Sequence, residues 1–126
     1  MSFTNYTETE VLEWLFTAGS VTRPSAWYVG LFTSAPSDPG GGTELSGSNY
    51  AREAVVFTVS GDTASNNANI EFNAATGSWG TITYAAIFDA SSGGNMIAYA
   101  ALSASKVIGT GDILRIPTGD LDVTLD

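Results

Sequence analysis

Over residues 81–88 the side chains of Ile82, Tyr84, Ala86 and Phe88 alternate with those of Thr81, Thr83, Ala85 and Ile87. Over 96–102, Met96, Ala98, Ala100 and Leu102 alternate with Ile97, Tyr99 and Ala101. A period of two predicts strands. The segment 89–95 between them, Asp-Ala-Ser-Ser-Gly-Gly-Asn, supplies residues that tolerate positive φ or bond their own backbone. The two runs therefore predict a β-hairpin. Both of its faces are small or apolar, which places it in the middle of a sandwich with cover on each side.

Helical spacing occurs once, over 7–18. Thr7 with Glu10 three residues later fits a capping box, and Glu8 and Glu10 suit the positive end of a helix dipole. Val11, Leu12, Leu15 and Phe16 form one apolar stripe with Trp14 at its edge, and Gly19 is the expected stop. The stripe predicts a helix laid over one end or one face of the sheets. Residues 26–33 (AWYVGLFT) read as a fully buried strand. Residues 50–59 read as a strand with Val55, Phe57 and Val59 on one face, and 68–72 as a short strand with Ile70 and Phe72 inward. Past the hairpin, 105–108, 113–116 and 120–125 read as further strands between Gly, Asp and Pro turns. The expected fold is all-β: an antiparallel β-sandwich, jelly-roll-like, of about eight strands with one short N-terminal helix. The expected organisation is a single domain over 1–126, with the N-terminal segment and helix in 1–19 and the sandwich in 26–126.

One connection breaks this rhythm. Residues 34–48 (SAPSDPGGGTELSGS) hold two prolines, four glycines and two acids, with almost nothing to bury. A loop of this length inside a compact domain is either functional or mobile, so Pro36, Asp38, Pro39, Gly40, Gly41, Gly42 and Glu44 are candidate partner contacts. Tyr50 and Arg52, on the strand that leaves the loop, join them. Arg52 reads either as an interface anchor or as a local pair with Glu53 or Glu44. Trp79, flanked by Gly77, Ser78 and Gly80, is the tryptophan expected on a loop, available to a ligand.

Composition narrows the function. Thirteen acids face four bases, Arg23, Arg52, Lys106 and Arg115, for a net charge of −9. That excludes the basic clusters that nucleic-acid binding needs and disfavours anionic membranes. Only 13% of residues are charged, about half the usual share, which leaves a neutral surface suited to packing. With no histidine or cysteine, Ser-His-Asp and Cys-His nucleophiles and Cys/His zinc sites are impossible. Carboxylate pairs remain for glycoside hydrolysis, but Glu53 and Glu71 take outward strand positions where solvated acids belong. The expectation is no enzyme, no cofactor and no metal site. Asp120, Asp122 and Asp126 share one face of a strand and read either as solvated edge acids or as a Ca²⁺ site. The N-terminus carries no basic region with an apolar core, and no run approaches the ~18 apolar residues of a membrane span, so a soluble protein made in a cytoplasm is expected.

Three motifs in order carry a resemblance: LFTSAPSDPGGGTE, YAR-x-AV-x-F and IFDA-x-SGGN, within residues 26–126. Together they resemble a group of small proteins of tailed bacteriophages labelled tail-fibre-like. In size and composition the chain is also similar to the decoration, or cement, proteins that sit as trimers on phage heads. The resemblance implies a virion protein without enzymatic activity. The expected role is capsid decoration on the outer head surface, with the major capsid protein and copies of itself, as a homotrimer, for partners. The alternative is a tail-fibre or tail-tip protein that contacts a tail protein or a host glycan. For glycans the candidate platform is Trp14, Trp27 and Trp79 with Tyr28, Tyr50, Tyr84 and Tyr99.

Overall fold

A computed structural model describes residues 1–125. Strand β1 (Ser2–Phe3) leads into helix α1 (Asn5–Phe16). Then follow β2 (Trp27–Ser34), β3 (Thr43–Glu44), β4 (Glu53–Val55), β5 (Phe57–Ser60), β6 (Thr63–Asn66), β7 (Ile70–Glu71), β8 (Gly80–Phe88), β9 (Met96–Ile108), β10 (Arg115–Ile116) and β11 (Asp122–Thr124). The main sheet has the order β1-β9-β8-β2-β3, with β4 also on β2; a second layer is built from the pairs β10-β7 and β11-β6-β5. Every pairing is antiparallel. The fold is an antiparallel β-sandwich with one short helix, as the periodicities predict.

The core lies between the layers. Val29 and Leu31 of β2 and Ile82, Ala85 and Ile87 of β8 meet Ile70, Phe72, Leu114 and Leu121 from the opposite side. Burying apolar area of this kind stabilises by roughly 25 cal/mol per Å². The other face of the main sheet carries Phe32, Ala86 and Phe88, with Tyr84, Met96 and Tyr99 packed against them. The β8–β9 hairpin is thus apolar on both sides because both sides are covered: one by the second layer, the other by the long loop and the start of α1.

Eleven strands form among the described residues where about eight are expected, because the short β1, β3 and β6 arise in segments without apolar alternation, and other boundaries shift as well. Strand β9 runs without interruption through 105–108, because a bulge between the Tyr84–Ala101 and Ile82–Lys106 pairs carries it past Leu102–Ser105. The run 50–59 splits at Val56: β4 pairs with β2 in the main sheet while β5 pairs with β6 in the second layer. That crossing between layers leaves Val59 exposed instead of inward. Helix α1 starts at Asn5 and ends at Phe16, not over 7–18. Its cap is Thr4, whose hydroxyl accepts from the Thr7 amide at 3.4 Å and donates to Met96 O at 2.6 Å. The Thr7 hydroxyl, expected to cap, instead donates to Ile97 O at 2.8 Å. Both threonines fasten the first turn to β9, which is why the helix begins where β1 ends. Its C-terminal end is Thr17, in an extended conformation, two residues before Gly19.

Candidate functional site: the long loop, its clamp and the N-terminal helix

The long loop is ordered by one arginine. Arg52 donates from Nε and Nη2 to the two carboxylate oxygens of Glu44, both at 2.8 Å, and from Nη1 to Ala90 O at 2.9 Å and Gly93 O at 2.8 Å. Its guanidinium also lies 3.4 Å from the centre of the Phe88 ring. The side chain is 8% exposed and that of Glu44 is 24% exposed. This fork joins three elements: β3 in the loop, the turn of the β8–β9 hairpin, and the segment entering β4. Arg52 therefore pairs with Glu44 and not with Glu53. As an anchor for another protein it has little to offer, because its donors are engaged within the chain.

Tyr50 extends the clamp into the core. Its hydroxyl donates to Glu44 Oε2 at 2.8 Å and accepts from the Leu31 amide at 2.9 Å, filling the gap on β2 between β3 and β4. The ring stacks on Phe72 and meets Trp79 edge-on. Burial, with Glu44 adding to it, holds the Tyr50 hydroxyl far above the usual pKa of a phenol. Beneath the clamp lies Gly30, where an added Cβ would stand 2.8 Å from Glu44 Oε2 and 3.0 Å from the Phe88 ring. A methyl here would press on the carboxylate that the clamp holds in place.

The tip of the loop is fixed from the other side. The Asn5 amide donates to Asp38 O at 3.0 Å, and the Tyr99 hydroxyl donates to Asp38 Oδ1 at 2.6 Å, which raises the Tyr99 pKa. The triple glycine turns back on itself at Gly42, whose φ is +74° and whose Cβ would meet Pro36 N at 2.7 Å. Pro36 is buried; Asp38, Pro39, Gly40, Gly41, Gly42 and Glu44 border a groove of about 450 Å³ beside the first turn of α1. The structure thus brings the loop candidates to one end of the sandwich, together with Asn5, Asn95 and Met96, which sequence reasoning did not single out. Met96 and Asn95 were legible as hairpin residues, but nothing in the sequence shows that the loop folds back onto them.

Trp79 is a correction. It was expected on a loop with its ring free, and it is 5% exposed in the core. Its backbone amide donates to Ile108 O and its Nε1 to Ser48 O, both at 2.9 Å, so no face of the indole is open to a sugar. Trp14 is the tryptophan that is exposed. Asp120 and Asp122 gather no third acid; among the described residues no three His, Cys, Asp or Glu side chains cluster to hold a metal. Asp122 instead accepts from the Ser65 hydroxyl. Asp126 lies outside the described residues.

The largest departure from expectation is α1. Its stripe was expected to cover the sheets. Thr7 bonds β9 through Ile97 O, and at about 100° per residue Phe16 falls on the opposite side of the helix, with Leu12 about 140° and Leu15 about 80° round from Thr7. None of its residues is buried: Leu12 is 58% exposed, Trp14 68%, Leu15 57% and Phe16 76%. Leu12, Leu15 and Phe16 thus expose apolar area on the side of α1 away from β9.

The profile of a family described as Podophage GP4 fiber I protein gp80 matches residues 2–124. The chain belongs to that family. It is accordingly a phage structural protein, and its place is in the virion. A search among curated proteins finds no match.

Proposed function

We propose that the protein is a non-enzymatic subunit of the phage tail, a compact fibre module that is built into the virion through the exposed C-terminal half of α1 and presents its ordered loop to a receptor. The observation that carries this reading is the exposed apolar side of α1, Leu12, Leu15 and Phe16, on a family background of fibre proteins. Residues 12–16 of α1 bury no side chain in their own chain, and burying them against another molecule would stabilise an assembly. The loop beside the first turn of α1 is pinned by Arg52, Tyr50 and Tyr99, as a surface presented to a receptor benefits from being; a pre-ordered contact surface loses less entropy on binding.

Capsid decoration is the second reading, and it is favoured by the compact β body, which lacks the repeats of a fibre shaft. The experiment that separates them is gold labelling of intact particles with an antibody to this protein. Label at the tail supports the fibre module. Dense label over the head overturns it in favour of a cement protein bound to the major capsid protein. Label on neither overturns both.

A further inference from the structure

Resting on the reading of α1 as an assembly element, the structure assigns its partner: we infer that the outer side of α1 docks into a groove on a second copy of this chain. The groove, about 320 Å³, lies between the β9 bulge and strands β10 and β11. Its floor is apolar, made by Leu102, Leu114, Ile116 and Leu121, and Lys106 and Arg115 stand on its border.

Charge selects this occupant. The first 22 residues hold Glu8, Glu10 and Glu13 and no Lys or Arg, and the last turn of α1 has no basic residue to offset its dipole. Arg23 stands beside Glu10, Val11 and Trp14 on the body side of α1, which leaves Glu8 and Glu13 as the charges of the helix away from it. Of the four bases in the chain, Arg52 is locked to Glu44, and two of the other three, Lys106 and Arg115, flank this one groove. Neither forms an ion pair among the described residues, although Glu71 stands opposite Arg115 in the β7–β10 register. Asp120 and Asp122 also border the groove, with Asp122 engaged by Ser65. Two bases against two acids make the border of this groove neutral in a chain of net charge −9, so it repels an acidic helix less than the rest of the surface does.

The contact joins two different patches. Thr7 is bonded at Ile97, while the groove begins beside Ala100 and extends past Lys106 along the same strand. Strand β1 runs antiparallel to β9, leading from Met1 at the groove to Thr4 at Ile97, and no residue of α1 borders the groove, so α1 does not fill the groove of its own chain. Helix of one copy into groove of the next is a heterologous contact, which closes into a ring, such as a trimer, or continues as a filament. Either geometry suits a fibre protein.

The test is sedimentation velocity of the full chain over a range of concentrations, with far-UV circular dichroism to confirm that each variant is folded. The wild type should form closed or extended oligomers. L15S/F16S changes only exposed side chains and should weaken self-association more than tenfold, as loss of an interface hot spot does. K106E/R115E should do the same, and adding E8K/E13K to it should restore association. Three results overturn the proposal: a monomeric wild type, oligomers indifferent to these substitutions, or a charge swap that fails to restore. A monomeric wild type with gold label still at the tail removes the self-contact while leaving the tail assignment standing. If L15S/F16S leaves self-association intact but removes the protein from particles, α1 docks on a different virion protein and the inference fails.

Discussion

Replacing Arg52 by alanine tests whether the clamp holds the loop end together. The substitution removes a bidentate pair, two hydrogen bonds to the carbonyls of Ala90 and Gly93, and the cation over Phe88. It also leaves Glu44, three-quarters buried, facing the Tyr50 hydroxyl with no positive charge beside it. Removing one partner of a buried pair costs about 3–5 kcal/mol, chiefly because of the charge left behind. The partial exposure of Glu44 lets water relieve some of that, so R52A should cost about 3 kcal/mol. For a domain of this size that is a fall in Tm of roughly 10 °C. Urea unfolding is the direct assay, since its midpoint should fall while the slope, set by the surface exposed, stays the same. The double variant R52A/E44Q isolates the mechanism. If the orphaned carboxylate dominates, neutralising it should recover about 1–2 kcal/mol, a non-additivity that a cycle measures. R52K keeps the charge but not the fork and should fall between R52A and the wild type. A loss below about 1 kcal/mol in R52A, or strictly additive effects in the double variant, would refute the view that this pair organises the loop.

Three further perturbations probe other parts of the structure. Gly30→Ala drives a methyl against Glu44 Oε2 and the Phe88 ring and should cost about 1–3 kcal/mol by overpacking; in the R52A/E44Q background, where the carboxylate is no longer held, the same change should cost less. Burial raises the Glu53 pKa, so its carboxylate opposes folding when ionised, and stability should rise as pH falls through the folded pKa toward the unfolded value of about 4.3. E53Q should then be more stable than the wild type at pH 7, with the advantage fading below about pH 4. D62N, which removes the same charge from an exposed turn residue away from α1 and the groove, controls for net charge in that thermal-unfolding series. Amides of residues 11–16 should exchange with solvent much faster in the isolated protein than those of β8, because the C-terminal half of α1 has no buried side chain. They should become protected in virions, and equal exchange in both settings would mean α1 is not an assembly element.

Period-two spacing made β2, β8 and the first half of β9 legible because each is covered on both faces, and alternation or continuous apolarity follows from that cover. The helix was legible as a helix but not in its orientation: Leu12, Leu15 and Phe16 form the same stripe whether they face their own sheet or another molecule. Its start was misplaced because Thr7 and Glu10 satisfy the capping pattern locally, while the true cap, Thr4, is selected by two carbonyls of β9, Met96 and Ile97, some ninety residues away. Distance in the chain also hid the clamp. Glu44 is eight residues from Arg52, but the other acceptors, Ala90 and Gly93, belong to a hairpin turn whose nearness only the fold creates. Trp79 was misread for a related reason. Its Gly and Ser neighbours signal a loop, and the segment is one, yet its amide and indole bond inward to Ile108 and Ser48, so the loop delivers the ring to the core.

The distribution of charge makes the self-contact sensitive to salt in a direction that distinguishes it from plain hydrophobic association. Two copies of net charge −9 repel over the Debye length, about 30 Å at 0.01 M ionic strength and about 8 Å at 0.15 M. The pairs proposed between α1 glutamates and Lys106 or Arg115 act over a few ångströms and are screened much less at physiological salt. Raising salt from about 0.01 M to about 0.15 M should therefore strengthen self-association, because long-range repulsion is lost first. Going on to about 1 M, where the Debye length is about 3 Å, should screen the local pairs as well and halt or reverse the gain. K106E/R115E lacks those pairs, and its residual association should rise with salt throughout. A wild-type curve that also rises throughout, parallel to that of the variant, would leave the apolar side of α1 as the whole of the attraction and remove Lys106 and Arg115 from the contact.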